Sequence, residues 1–163
     1  MPDLVDPRRG LTRRRLLEQA LAACGCLASG LAPGLAWADD AARAAAAQAA
    51  IDAIVGDRAV SDGKLKLTTP AIAENGNTVP IAVEAGGRFT ADSWVKAIHV
   101  FALANPTPEV ASFHFTPASG LAQVATRIRL ASTQQVVAIA ELSDGRVWRT
   151  ANEVKVTIGG CGG

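Results

Sequence analysis

The last five residues, Gly159-Gly160-Cys161-Gly162-Gly163, set one thiol among four glycines. The thiolate is the nucleophilic form of cysteine, so an exposed thiol here is a group that forms and exchanges covalent bonds to other atoms. Glycine adds no side chain to shield it and gives the backbone wide freedom, so the pentapeptide is expected to be an unpacked, flexible arm. Five residues span at most about 17 Å. An arm of that reach, growing from a strand that ends at Ile158, would carry a small reactive group into a narrow pocket of another protein. No histidine or other base adjoins Cys161 in sequence. A thiol enzyme acting alone would need a base brought from elsewhere, and none is supplied locally. A tail cysteine can also merely cross-link two chains through an interchain disulfide, and a glycine-rich terminus is often plain disorder.

The other two cysteines, Cys24 and Cys26, lie in a different setting. Arg8, Arg9, Arg13, Arg14 and Arg15 form a basic stretch, and a mostly apolar run follows from Leu16 to Leu35. The run ends in Ala36-Trp37-Ala38, a small-x-small cleavage signal, before Asp39-Asp40. It is too short and too interrupted by glycine and proline for a transmembrane helix. Thr12-Arg13-Arg14-Arg15-Leu16-Leu17 resembles the twin-arginine export motif, with Glu18 where that pattern often has lysine. Residues 1–38 are therefore expected to be a signal peptide that directs the chain to the periplasm. Leu21-Ala22-Ala23-Cys24 is a competing lipoprotein box, but the apolar run continues past it to the second cleavage signal. Cleavage after Ala38 would leave 125 residues with Cys161 as the lone thiol, in an oxidising compartment where most thiols are paired.

The remaining chemistry-bearing residues are sparse. The chain has two histidines and no tyrosine, and aromatics are 4% of its 163 residues. A multi-ligand metal site is hard to assemble from such a set, and so is a base-stacking platform. No cofactor is expected. The balance of 16 basic against 15 acidic side chains, net +1, gives no electrostatic footprint for nucleic acid. His99 and His114 each sit on the sheet face opposite their apolar neighbours and are expected at the surface or at an interface. Trp94 and Trp148 are expected in the core or at a partner interface. Arg127 and Arg129 share a face and are expected on solvated strand surface. Gly86-Gly87 lacks phosphate-loop spacing and is expected to be a turn.

The elements that must position the tail follow from periodicity. Asp39-Asp40 and the alanine-rich stretch to Ile51 predict a helix capped by aspartate and ending near Gly56. Beyond Gly63 the period becomes two. Strands are predicted at Lys64–Leu67 and Val79–Val83, with Asn75-Gly76 as a hairpin signal and Pro80 marking an edge or bulge. Further strands are predicted at Val95–Leu103, Val110–Phe115, Val124–Leu130, Val136–Leu142, Val147-Trp148 and Val154–Ile158. Val136–Leu142, apolar on both faces, reads as central. Seven or eight short strands with regular turn signals indicate a mainly β protein: an immunoglobulin-like antiparallel β-sandwich over residues 39–158, with an N-terminal helix and the arm at 159–163.

The terminal Gly159-Gly160-Cys161-Gly162-Gly163 resembles the carboxy-terminal signature of the SoxY family, the sulfur carriers of bacterial thiosulfate oxidation. The leader, the alanine-rich helix and Pro70-Ala71-Ile72-Ala73-Glu74-Asn75-Gly76-x-x-Val79-Pro80-Ile81 are similar to the same family. The resemblance implies a carrier, not an enzyme. It implies a heterodimer with a SoxZ-like β-sandwich subunit and covalent loading of Cys161 with thiosulfate by a haem-containing SoxXA-like partner. A SoxB-like hydrolase would then release sulfate, and a SoxCD-like sulfane dehydrogenase would oxidise the remaining sulfur where it is present. The alternative is an immunoglobulin-like periplasmic interaction module whose tail cysteine forms a disulfide dimer. Neither nucleic acid nor membrane is an expected partner.

Overall fold

A computed structural model describes residues 34–87, 89–90 and 92–160, with side chains from residue 41 onward. The arginine-rich leader, the Cys24 box and Cys161-Gly162-Gly163 lie outside the described residues. Helix α1 runs Gly34–Val55 and is followed by nine strands: β1 Val60–Ser61, β2 Leu65–Thr68, β3 Ile72–Asn75, β4 Val79–Ala85, β5 Val95–Ala102, β6 Glu109–His114, β7 Ala122–Ile128, β8 Gln134–Leu142 and β9 Val147–Ile158. The helix begins before the expected cap, so Asp39-Asp40 stand inside it. The preceding Leu35-Ala36-Trp37-Ala38 is made of residues that a helix accepts, and nothing there stops it. It ends as expected, with Gly56 at a φ of 57° just beyond Val55.

Two sheets face one another as a sandwich. The larger has the order β1-β9-β8-β5-β6, with β3 also paired to β9, and the smaller has the order β2-β4-β7. Alternation on both sheets fills the space between them with Val79, Val83, Ile98, Val100, Val136 and Val154, joined by Leu130 from beyond β7, all fully buried. The outer face of the large sheet is apolar as well. Phe101, Val137, Ile139 and Val147 point away from the sandwich and are covered by Ile51 and Val55 of α1. This is why Val136–Leu142 is apolar on both faces, and β8 is indeed central, between β9 and β5.

Three expectations need correction. Asn75-Gly76 does not close a hairpin. β3 pairs parallel to β9, while β4 pairs antiparallel to β2 and β7, so this turn carries the chain from one sheet to the other. Gly76 is also absent from the positive-φ glycines that such a hairpin turn would need. Second, β4 is the central strand of its sheet despite Pro80. The β2 ladder reaches only Ala82, so at Pro80 the strand has one neighbour, β7, and loses no ladder bond to β2. Third, β1 and β3 are parallel additions to an otherwise antiparallel sandwich. They cap opposite ends of the outer edge of β9, at Val147-Trp148 and at Lys155–Ile158, with β2 crossing to the other sheet between them. Asn152 holds that crossing by donating from Nδ2 to Leu67 O at 2.9 Å and to Thr69 Oγ1 at 3.2 Å.

Candidate functional site: the root of the C-terminal arm

β9 is the longest strand, 12 residues, and it ends directly in the glycine arm. Its last residues emerge from the core: Val154 is buried, whereas Ile158 is 66% exposed. Three chain segments meet where it ends. Gly76 N donates to Ile158 O at 2.8 Å, Leu130 N donates to Gly76 O at 2.8 Å, and Gly160 N donates to Leu130 O at 2.9 Å. The turn after β3, the strap between β7 and β8, and the arm's first residues are thereby closed into a hydrogen-bonded ring. Thr133 adds a fourth tie, accepting from Val156 N at 2.9 Å.

This ring narrows the expectation that the whole pentapeptide stays unpacked. Gly160 is buried and lies against Gly76. A Cβ on Gly159 would fall 2.3 Å from Ala131 O, one on Gly160 2.9 Å from the Gly76 carbonyl carbon, and one on Gly76 2.2 Å from Leu130 O. Real Cβ atoms do not approach backbone so closely, so these glycines are required for proximity. Cys161, Gly162 and Gly163 lie outside the described residues.

Gly160 also lines a groove of about 520 Å³ between the outer edges of β6 and β7. Val110, Phe113 and Ile128 give it an apolar wall, and Arg127, Arg129 and Glu109 supply charge. Both arginines are exposed, as expected for solvated strand surface.

The two histidines sit elsewhere, their rings edge-to-face with centroids 6.2 Å apart, and they differ in burial. His114 is exposed, but His99, expected at the surface or at an interface, is only 8% exposed, with Glu141, Ser112, Glu109 and the His114 ring around it. His99 Nε2 lies 3.2 Å from Glu141 Oε1, and Nδ1 lies 2.8 Å from Ser112 Oγ. Glu141 also pairs with Arg58 at 2.7 Å, and Arg58 donates to the helix-end carbonyls of Val55 and Ile54. Burial pushes the Glu141 carboxyl up, but the Arg58 and His99 hydrogen bonds outweigh it and leave it below the usual carboxylate value. The Ser112 hydroxyl, opposed by partial burial and helped by His99, does the same for Glu109. The cluster ties α1 to the sheet and does not include the arm. Trp148 is buried against Gly63, and Trp94, just before β5, is half-buried. Among the described residues no three His, Cys, Asp or Glu side chains gather as a metal site, and no helix is long and apolar enough to cross a membrane.

Residue types alone did not single out Gly76, Leu130, Asn105 or Gln134 as parts of this site. Asn105 reads as a turn residue before Pro106, and Gln134 lies ahead of the strand predicted at Val136–Leu142. Their side chains meet across 29 positions of sequence, and no local pattern marks that meeting.

Comparison with known proteins places this geometry in a family. The family model "Sulfur oxidation protein SoxY" matches residues 51–161, so the match runs through to Cys161. The solved structure of the sulfur carrier protein SoxY from Chlorobium limicola f thiosulfatophilum is similar, at 33% identity and a TM-score of 0.57. That alignment covers 68% of this chain and 96% of that one. A superoxide reductase (neelaredoxin) from Ignicoccus hospitalis, 17% identical with a TM-score of 0.51, covers 57% of this chain and 80% of its own, and shares the fold alone. No curated protein sequence matches significantly. The mainly β sandwich, the helix that leads into it and a family match reaching the terminal cysteine agree: this chain belongs to the SoxY family of sulfur-oxidation proteins.

Proposed function

We propose that this protein is a covalent carrier of sulfur intermediates in thiosulfate oxidation, working in the periplasm after twin-arginine export, with substrate attached at Cys161. The observation that carries the reading is the sulfur-oxidation family match, which extends to residue 161 on a chain whose thiol stands alone among glycines. The protein is on this reading a substrate for enzymes and not itself one. Loading joins the Cys161 thiolate to the outer sulfur of thiosulfate. The new sulfur–sulfur bond releases two electrons, which a haem-containing SoxXA-like partner accepts. Hydrolysis by a SoxB-like enzyme then adds water across the bond to the sulfonate group, releasing sulfate and two protons and leaving a persulfide on Cys161. A SoxCD-like dehydrogenase, where present, oxidises that sulfur further. A SoxZ-like subunit completes the carrier as a heterodimer.

The physical logic rests on the tether. A labile, charged sulfur species stays covalently bound and does not diffuse away, and the slender arm presents it to each active site in turn. Arg127 and Arg129, which line the same groove as Gly160, suit an anionic adduct on the arm.

Mass spectrometry of the native protein from thiosulfate-grown cells, with and without reductant, tests this. Reductant-labile sulfur adducts on Cys161 are expected, on a chain that begins at Asp39. A chain beginning at a lipidated Cys24 would correct the export reading alone. A bare thiol, or only a Cys161–Cys161 dimer, would favour the cross-linked interaction module. Cys161→Ser is expected to fold and to bind its partner subunit unchanged, and to carry no adduct.

A further inference from the structure

We propose that Asn105 and Gln134 are positioning residues for the carrier thiol: they shape the strap that clasps the arm's root, and so set the point and direction from which the chain leaves toward Cys161. The inference rests on the reading of Cys161 as the attachment residue.

The strap, residues 129–133, belongs to no strand and needs something else to hold its form. Asn105 does so from one side. Its Nδ2 donates to Arg129 O at 2.8 Å and its Oδ1 accepts from Ala131 N at 2.9 Å. One amide thus engages the backbone on either side of Leu130. The Leu130 N–H and C=O, left free of Asn105, are the pair that bind Gly76 O and Gly160 N. Gln134 fixes the Asn105 amide in turn. Its Nε2 donates to Asn105 Oδ1 at 2.9 Å and to Ser132 O at 3.1 Å, while its Oε1 accepts from Ala104 N at 2.7 Å. Both side chains are buried, at 8% and 6% exposure, where an amide is tolerated only when its polar atoms are paired. Every bond they make is to each other or to the chain around the strap.

The clasp changes the reach of the thiol. Released at Ile158, Cys161 would be three residues from its anchor; held at Gly160, it is one. At roughly 3.4 Å per residue the volume open to its Cα falls on the order of 25-fold. A carrier that must meet several active sites gains a defined launching point.

The test uses the full chain with Cys24→Ser and Cys26→Ser, so that Cys161 is the lone thiol. Amide exchange at Gly160 and the spectrum of a nitroxide on Cys161 are read together. Gly160 is expected to exchange at least about a hundredfold more slowly than in a free Gly-Gly-Cys-Gly-Gly peptide, as a bonded amide does. Asn105→Leu and Gln134→Met should each remove at least tenfold of that protection and sharpen the nitroxide lines. Val137→Ala, which thins the core on the helix side, should lower the Tm and leave both readouts where they were. If Asn105→Leu does not fold, Gln134→Met and the unmutated chain decide. An unprotected Gly160, protection that survives the two substitutions, or an equal response to Val137→Ala would overturn the proposal. A Cys161 that never carries sulfur in cells, with Gly160 protected, would overturn the carrier reading and leave the clasp standing.

Discussion

Glycine does two different jobs in this chain, and they predict different costs. Gly56 needs its backbone: at a φ of 57°, with nothing within 4 Å of where a Cβ would stand, an added methyl meets conformational strain and no neighbour. Gly56→Ala is expected to cost about 1 kcal/mol. Gly76 needs its missing side chain, because a Cβ would press on Leu130 O at 2.2 Å and on Gly160 N at 2.5 Å. Both are backbone atoms that cannot swing away. Gly76→Ala is expected to cost about 3 kcal/mol and to loosen the arm's root. Urea unfolding of the two variants separates these roles; equal losses would sink the close-approach account of Gly76.

Helix α1 is held by burial at its face and by polar contacts at its end. Ile51 and Val55 lie on Phe101, Val137, Ile139 and Val147, the outer apolar face of the large sheet. Ile51→Ala is expected to cost about 3 kcal/mol and to raise amide exchange along the helix before the sandwich is affected. At the helix end Arg58 meets the last carbonyls, where a cation is favoured, and reaches Glu141, which meets His99. Removing the guanidinium takes away a hydrogen bond that holds the Glu141 carboxyl down. In Arg58→Ala the Glu141 titration, followed by NMR, should therefore move to higher pH. An unmoved titration would mean that the pair does not persist in solution. β9 begins under the helix at Val147, takes up β8, β1 and β3, and runs on into the glycine arm.

For the molecule as a whole, acid is the weak direction. The Arg146 hydrogen bonds hold the Asp144 carboxyl down to about 2, and the Glu109 and Glu141 carboxyls also lie below the usual value of 4.5. Across that window the unfolded chain binds more protons than the folded one, so stability rises with pH. The contribution of these groups is complete above their unfolded values and is lost as pH falls through the folded ones. Thermal unfolding should show a flat Tm from about pH 7 to 5 and a decline below about 4. Glu141→Gln should be less stable near neutrality and should decline less steeply in acid. A decline as steep as in the unmutated chain would remove Glu141 from the explanation.

Much of this architecture was readable in one dimension because its signals are local. Period-two alternation marks the strands, and the doubly apolar Val136–Leu142 marks the sheet centre. Each is a property of neighbouring residues. Sheet membership was not readable: Asn75-Gly76 looks like a hairpin turn, yet long-range pairing sends β3 to β9 and β4 to β2 and β7. Nor was the burial of His99, whose ring meets Glu141, 42 residues away in sequence. The clasp is hidden for the same reason. Gly76, Leu130 and Gly160 bind one another through backbone groups, which every residue carries alike, and Asn105 meets Gln134 only because the strap brings them together. Residue order alone set which faces are apolar and which thiol the proposed carrier role singles out; where the arm's root is held was decided by folding, because backbone hydrogen bonds between distant segments leave no mark on residue type.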